Sequence, residues 1–484
     1  MSESLTEKPS EKLHDEKSDI SSRFNPKEQA QIVLKIDLHV LPWMGWLLLI
    51  NYIDRTNIGN VRILKLHIYS KETGNDILTE LNLTATDWQY ALSVFYIGYF
   101  IAEIPSNLML KRFGPSKWMC RIVFTWGICS FATAFAQNAT GLILARFFLG
   151  LTEAGLFPGI ILYFSYWYPP AEFAKRVSLL VCSMNMSGAF GGLLAYAISF
   201  LNGTGGYSGW RWIFIIEGAP AIVSGFLTFW LLPDFPHTSS WLTEHEILWA
   251  EARIQATKQG PSAHDEHFNK PEFIKAISDP HAYVWSTIFL AQAVSAVSLG
   301  FWLPSIINAL GFVSTTANLL TVPPTVLAFI FSMAISWNSD RTGDRIFHMV
   351  SCQSLFILSL ILFATVPATA AGNSFTYFVC FLAYCGSSGV APMIWSWRAD
   401  TSSGTTGTAV STALMGSIGN SGGAFSSLVF RADWGPRYQR AFAICAALST
   451  FSVLLAVAET VYQRRKAGKA TVEIEKFAKL AGHR

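Results

Sequence analysis

The feature that most constrains this chain is a succession of about twelve apolar stretches, each near the ~20 residues a helix needs to cross a bilayer. They fall near 38–57, 88–110, 118–136, 141–165, 176–200 and 210–232, and, after a polar stretch, near 283–308, 318–338, 347–367, 375–397, 404–430 and 438–462. In hydrocarbon every backbone N–H and C=O has to be satisfied inside its own segment, so runs of this length imply helices rather than open strands. The expected fold class is therefore an all-α membrane protein of twelve helices in two six-helix halves. The expected organisation is a disordered cytosolic N-terminal tail over 1–35, a six-helix bundle over 36–232, a cytosolic central loop over 233–282, a second bundle over 283–462 and a cytosolic C-terminal tail over 463–484.

Composition excludes several function classes. Of 484 residues 51% are hydrophobic and only 14% charged, against about 25% charged in a soluble domain. A net charge of +3 offers no basic field for nucleic acid, and the 17 Trp and 36 Phe suit lipid-facing and interfacial surfaces. Cys120, Cys129, Cys182, Cys352, Cys380, Cys385 and Cys445 lie in apolar stretches without metal-ligand spacing, which reads as buried thiols. No metal or cofactor is expected. Without an HExxH pair, a phosphate-binding loop or a placed nucleophile and base, the chain does not read as an enzyme.

Orientation follows from Lys and Arg, which are retained in cytoplasmic loops. Lys111, Arg112, Lys117 and Arg121, then Lys175 and Arg176, then Arg341 and Arg345, and finally Arg464, Arg465, Lys466 and Lys469 mark inner turns and tail, so both termini are expected in the cytosol. The first outer loop (Arg62, Lys65, Lys71) and the last (Arg431, Arg437, Arg440) depart from this rule. The N-x-S/T sequons at Asn82, Asn138 and Asn202 all fall in loops placed outside and are candidate glycosylation sites. A plasma-membrane location is expected, with vacuolar or other endomembranes as alternatives.

The two halves repeat one another. Lys111-Arg112-Phe113-Gly114 lies between spans 2 and 3, and Asp340-Arg341-Thr342-Gly343-Asp344-Arg345 between spans 8 and 9: the same basic, Gly-containing turn in the same place. Further on, Asn51-Tyr52-Ile53-Asp54-Arg55-Thr56-Asn57, Glu103-Ile104-Pro105-Ser106-Asn107, Arg146-Phe147-Phe148-Leu149-Gly150-Leu151-Thr152-Glu153 and Gly209-Trp210-Arg211-Trp212 carry a more specific likeness. With its paired inner turns the sequence resembles the major facilitator superfamily, and within it the fungal anion:cation symporters, the group of allantoate, nicotinate and pantothenate permeases. The resemblance implies a monomeric secondary carrier that takes up a small organic anion with protons by alternating access. One segment departs: relatives commonly place Trp, then Asn, then a Lys-Arg pair between spans 10 and 11, where this chain reads Arg398-Ala399-Asp400-Thr401. Export of a toxin or metabolite is the alternative within transport, and a channel or receptor the alternative outside it.

A charge at the centre of a span costs at least about 2.5–3.5 kcal/mol on insertion scales, so a retained one faces the bundle interior or a partner. Asp54 and Arg55 lie toward the outer end of span 1. Arg146 and Glu153 are seven residues apart on span 4, two turns along one face, roughly 10 Å along the axis. An Arg at either place can hold a carboxylate through its planar fork, while Glu153 or Asp54 takes up the coupled proton. The alternative is that Asp54 with Arg55, or Arg146 with Glu153, are internal ion pairs that fix packing. Glu103 is expected to pair with the basic inner turns as a gating residue, alongside Lys111, Arg112, Gly114, Asp340, Arg341, Gly343 and Arg345. Arg398 is a further pathway candidate near the inner end of span 10. Arg211 is expected at the outer interface and Glu217, six residues deeper, as a structural partner. Gln292, Trp302, Asn338, Trp395 and Asn420 either shape the pocket or glue helices together.

Overall fold

The computed structural model describes residues 24–63, 76–169, 186–257, 270–312, 314–366, 369–401, 405–430 and 438–481, with Glu172, Arg176, Val177, Leu179–Val181, Met184 and Trp434. Every regular element among them is a helix. The first half is built from α1 (Pro26–Ile63), α2 (Ala85–Phe113), α3 (Pro115–Thr133), α4 (Ala139–Glu153) continued by α5 (Leu156–Trp167), α6 (Met186–Ser199) and α7 (Gly209–Leu231). A linker helix α8 (Glu244–Thr257) leads to the second half, α9 (Pro280–Ala309), α10 (Val322–Thr342), α11 (Arg345–Thr365), α12 (Ala370–Thr401), α13 (Thr405–Val429) and α14 (Gln439–Ala481). Among the described residues nine helical stretches are long and apolar enough to cross a membrane. The others, α2, α3 and α13, carry internal charges or a Ser, Thr and Gly-rich sequence that dilutes their hydropathy.

Helix α1 starts well before the apolar run. Residues 26–35, expected within a disordered tail, are helical from Pro26, whose ring presets φ, with Glu28 in the first turn. Ile32, Ile36, Val40 and Met44 follow at four-residue spacing and are buried, so tertiary packing of one face carries the helix toward its N-terminus. At the other end, α2 opens with a capping box in which Thr84 and Asp87 exchange hydrogen bonds.

The outer surface is that of a protein dissolved in lipid. Trp230, Phe347, Leu108 and Phe200 are exposed, which in water would be an aggregation liability but in a bilayer costs nothing. The aromatic residues are not all at this surface, however. Trp126, Trp167, Trp210, Trp285 and Trp302 are among the most completely buried side chains, where their indoles fill helix interfaces.

The halves meet in the part of the bundle nearer the sequon loops. A Cβ at Gly59 of α1 would lie 2.6 Å from the Phe301 carbonyl of α9, and one at Gly192 of α6 would lie 2.3 Å from Thr321 Oγ1. Ser93 of α2 donates to the Ala424 carbonyl of α13 at 2.9 Å, and the Arg62 guanidinium sits 3.9 Å from the Trp302 ring centre. Closer to the middle, Phe157 and Trp395 pack edge to face across the halves at 5.3 Å. Small residues at such crossings let backbones approach without a side chain between them.

Candidate functional site

The centre of the first half is a charged cluster sealed from solvent. It depends on a break in the fourth span: α4 stops at Glu153, Gly155 turns with φ 92°, and α5 restarts at Leu156. Only glycine fits, because that φ is left-handed and a Cβ would lie 2.2 Å from Ser106 Oγ. Broken helices of this kind occur in membrane proteins where they line a cavity.

Arg146 and Glu153 do lie two turns apart on α4, but Glu153 takes its ion pair from another helix. Arg55 Nε donates to Glu153 Oε1, with the Glu153 side chain fully buried, and the guanidinium is caged by the rings of Tyr52, Phe95 and Tyr99 at 5.1, 5.5 and 4.7 Å. Asp54, next along α1, turns the other way. It accepts Trp126 Nε1 and, at 3.2 Å, Ser130 Oγ, both from α3. Neither of the ion pairs anticipated from proximity in sequence is the one formed.

Arg146 is 2% exposed and stands over the Phe214 ring at 5.5 Å, in electrostatic reach of Asp54, Glu153 and Glu217. Its Nε and Nη2 have no hydrogen-bond partner, nor do Glu153 Oε2 and both Glu217 carboxylate oxygens. Unspent buried donors and acceptors cost about 1–3 kcal/mol each, more when charged. Such a cluster is poised to accept a ligand or a proton. Arg55 and Arg146 also line one pocket with Ile58, Ala91, Leu92, Phe95, Tyr96 and Phe301, of about 10 Å³, roughly one water. An organic acid enters only if the helices part.

The remaining candidates separate into groups. Glu103 is not at the basic turn. It is 2% exposed, in reach of Arg55 and beside Ser417 of α13, so it faces the other half; its side chain extends from α2 about ten residues, or ~15 Å, before the turn. Arg398 is buried at the basic-turn end, where Nη2 donates to Asp279 Oδ2 at 3.1 Å, remote in the fold from the arginine pair. Asp279 caps α9 there, which makes this contact a tie between α12 and α9 rather than part of the central cluster.

At the first basic turn Gly114 has φ 88° and the α3 N-terminus is met by Asp234, whose Oδ1 accepts the Ser116 amide at 2.6 Å. At the second, Gly343 closes α10 with φ 69° and Asp344 caps α11 through the Phe347 amide at 3.2 Å. Arg112 and Arg341 are exposed beside Phe113 and Trp337, and Arg345 is half-buried. The Lys111 and Asp340 side chains lie outside the described residues. The anionic groups at both helix N-termini are where the helix dipole favours them; Asp234 escaped notice in the sequence because it is 118 residues from its partner.

Of the sequon residues, Asn138 caps α4 through the Gly141 amide and Asn202 accepts the Gly209 amide. Asn82 is exposed, with φ 49°. Arg211 sits at this end, as expected, and binds Glu80 through Nε and Nη2 at 2.9 and 2.6 Å. Trp210 and Ser208 also donate to Glu80.

In the second half Gln353 Nε2 donates to Gln292 Oε1 at 2.5 Å. Trp302 stacks on Phe430, Trp395 packs on Phe289, and Asn338 contacts His348 at 2.9 Å, which places these residues in helix contacts. Asn420 is half-buried on α13.

Two bundles of six helices closing over a buried charged centre, with a broken helix beside it, define a secondary transporter. The Major Facilitator Superfamily model matches residues 47–427. A fungal protein named MFS transporter prlL (Fungal sp., strain NRRL 50135) is 32% identical over 92% of this chain and 89% of its own. A protein of Agrobacterium vitis named as a tartrate transporter is 30% identical over 82% of this chain and 83% of its own. A bacterial homologue of the human lysosomal transporter Spinster, solved in an inward-facing conformation, shares the fold with a TM-score of 0.59 at 16% identity, covering 88% of this chain and 96% of that one. The chain belongs to the Major Facilitator Superfamily.

Proposed function

We propose that this transporter carries a small organic anion together with protons, as the anion:cation symporters do, and that it works in the uptake direction. The observation that carries the reading is Arg146, buried with two nitrogens unspent beside a carboxyl whose second oxygen is also unspent. A guanidinium so placed binds a carboxylate bidentately, and a relative named for tartrate transport points to the same substrate chemistry.

Coupling follows from the Arg55–Glu153 pair. While Glu153 is ionised, Arg55 is occupied and a substrate carboxylate meets a like charge at Glu153. A proton on Oε2 removes that charge and releases Arg55, so both guanidiniums turn to the anion. Proton and anion each favour the other's binding, which is the linkage symport requires. The loaded, neutral centre lets the halves close at the sequon end and part at the basic-turn end, carrying anion and proton from the plasma-membrane exterior to the cytosol, in a monomer with both termini inside.

The test is uptake of labelled carboxylates, tartrate and nicotinate among them, in yeast lacking its own permeases, at about pH 5 and about pH 7.5, with and without a protonophore. Faster uptake of one anion at the lower pH, abolished by the protonophore, by Arg146→Ala and by Glu153→Gln, is the expected result. Surface-expressed protein that moves none of them defeats the uptake reading and turns attention to export.

A further inference from the structure

Glu217 is a buried carboxyl that the coupling scheme leaves unused. It sits one turn beyond Phe214 on α7, is 6% exposed, and neither carboxylate oxygen has a hydrogen-bond partner. Helix α7 packs on α3, α1 and α6. From α1 Asp54 faces it, with Asn57 alongside, and from α4 Arg146. On α3 the Cys129 thiol turns to Thr152 instead, and α6 brings no carboxyl or base.

Charge counting then decides. Around Arg146 stand three carboxyl groups, Asp54, Glu153 and Glu217, and a fourth, Glu103, lies in reach of Arg55 and beside Ser417 of α13, against two guanidiniums, Arg55 and Arg146. A buried cluster in an apolar bundle is tolerable when its charges balance, so four acids and two bases leave two protons to place, at least one of them on Asp54, Glu153 or Glu217. Glu153 has Arg55, and Asp54 has the indole and hydroxyl donors of Trp126 and Ser130. Glu217 has only the Asn57 amide alongside, with neither oxygen in a well-formed hydrogen bond.

We propose that Glu217 is a third proton-exchanging carboxyl of this transporter, holding a resident proton of the cluster and competing with Asp54 for Arg146. When the proton passes to Asp54, one O–H bond breaks at Glu217 and one forms at Asp54. The cluster's net charge is unchanged, and Arg146 then faces an anionic Glu217 on α7 in place of Asp54 on α1. The guanidinium is thereby handed between two helices, which makes α7 a moving part of the machinery. This deepens the proton-coupled reading and rests on it only for the use made of the proton.

The test needs no substrate. Purified protein in lipid is examined by infrared difference spectroscopy in the carboxylic C=O stretching region while the pH is stepped from about 5 to about 9. Wild type should show a protonated-carboxyl band near neutrality that Glu217→Gln lowers by one carboxyl's worth of intensity, and that Asp54→Asn shifts. Glu459→Gln, at the far end of the second half, should leave it alone. A wild type without the band, or a band untouched by Glu217→Gln, overturns the proposal. If Glu217→Gln does not elute as folded protein, Glu217→Asp must move the band, and an unmoved band overturns the proposal equally. A failed anion-uptake experiment leaves the spectrum intact, so the two readings fail separately.

Discussion

The two halves share a fold but hold themselves together by different chemistry. The first concentrates Asp54, Arg55, Glu103, Arg146, Glu153 and Glu217 in its buried interior. The second is stitched by hydroxyl-to-carbonyl bonds: Ser298 to Ser426, Ser295 to Cys445, Ser452 to Ile288 and Ser388 to Ala328, at 2.9–3.1 Å, with the Gln292–Gln353 amide pair at its core. Interhelical hydrogen bonds in membranes average about 0.6 kcal/mol, whereas removing one partner of a buried ion pair costs about 3–5 kcal/mol. The neutral half is held by many weak, redundant ties. The charged half is held by a few strong ones whose strength depends on protonation. A duplicated architecture has thus divided its labour, with the switchable charge at the centre of one half and a hydroxyl- and amide-bonded centre in the other, whose ion pairs Arg398–Asp279 and His281–Glu459 lie toward its basic-turn end.

That contrast can be broken most directly at the arginines. Arg146→Ala should lower initial uptake about 100-fold or more, the loss of roughly 3 kcal/mol from a charged contact, whereas Gln353→Leu should cost under about tenfold; equal losses would erase the division. Stability should divide the same way. Glu153→Leu leaves Arg55 buried without its partner and should destabilise by about 3–5 kcal/mol, against about 0.6 kcal/mol for Ser298→Ala, read as the difference in thermal unfolding of the detergent-purified proteins.

The contact between halves can be sharpened at Gly59, where any side chain meets the Phe301 carbonyl. Gly59→Leu should hold the sequon end apart and raise severalfold the labelling of a cysteine introduced at Ile58, which lines the arginine pocket, by a membrane-impermeant maleimide. Unchanged labelling would mean that this crossing does not govern closure.

A smaller effect is expected outside the bilayer. Burial alone pushes the Glu80 carboxyl up, but hydrogen bonds from Ser208, Trp210 and Arg211 and the Arg211 charge hold it below its ordinary value. Its contribution is therefore present above the unfolded carboxyl range and is lost as pH falls through the lowered folded value. Glu80→Gln should flatten the acid side of the stability-against-pH curve, leaving the neutral side displaced downward; an acid limb identical to wild type would contradict the tie. Smallest of all, Asn82→Gln should abolish an endoglycosidase-sensitive gel shift without altering transport, and persistence of the shift would move the modification to Asn138 or Asn202.

Much of this was legible in the residue order, for a reason that lies in the solvent. A bilayer demands near-twenty-residue apolar helices, so the apolar runs point to about twelve spans, nine of which among the described residues stand out by length and hydropathy, and the i, i+7 spacing of Arg146 and Glu153 places them on one face whatever surrounds them. The repeated basic turns likewise carry their own glycine. What the tertiary structure alone decided is partnership. Glu153 pairs with Arg55 on α1 and not with Arg146 on its own helix, Glu103 looks toward Ser417 in the other half, Arg398 closes on Asp279, and Glu217 faces Asp54, Asn57 and Arg146. Each outcome depends on how far one helix is rotated and shifted against another. That is set by packing at Gly59, Gly155 and the α3–α7 crossing, through contacts between residues tens to hundreds of positions apart, and periodicity along a single helix contains no record of it.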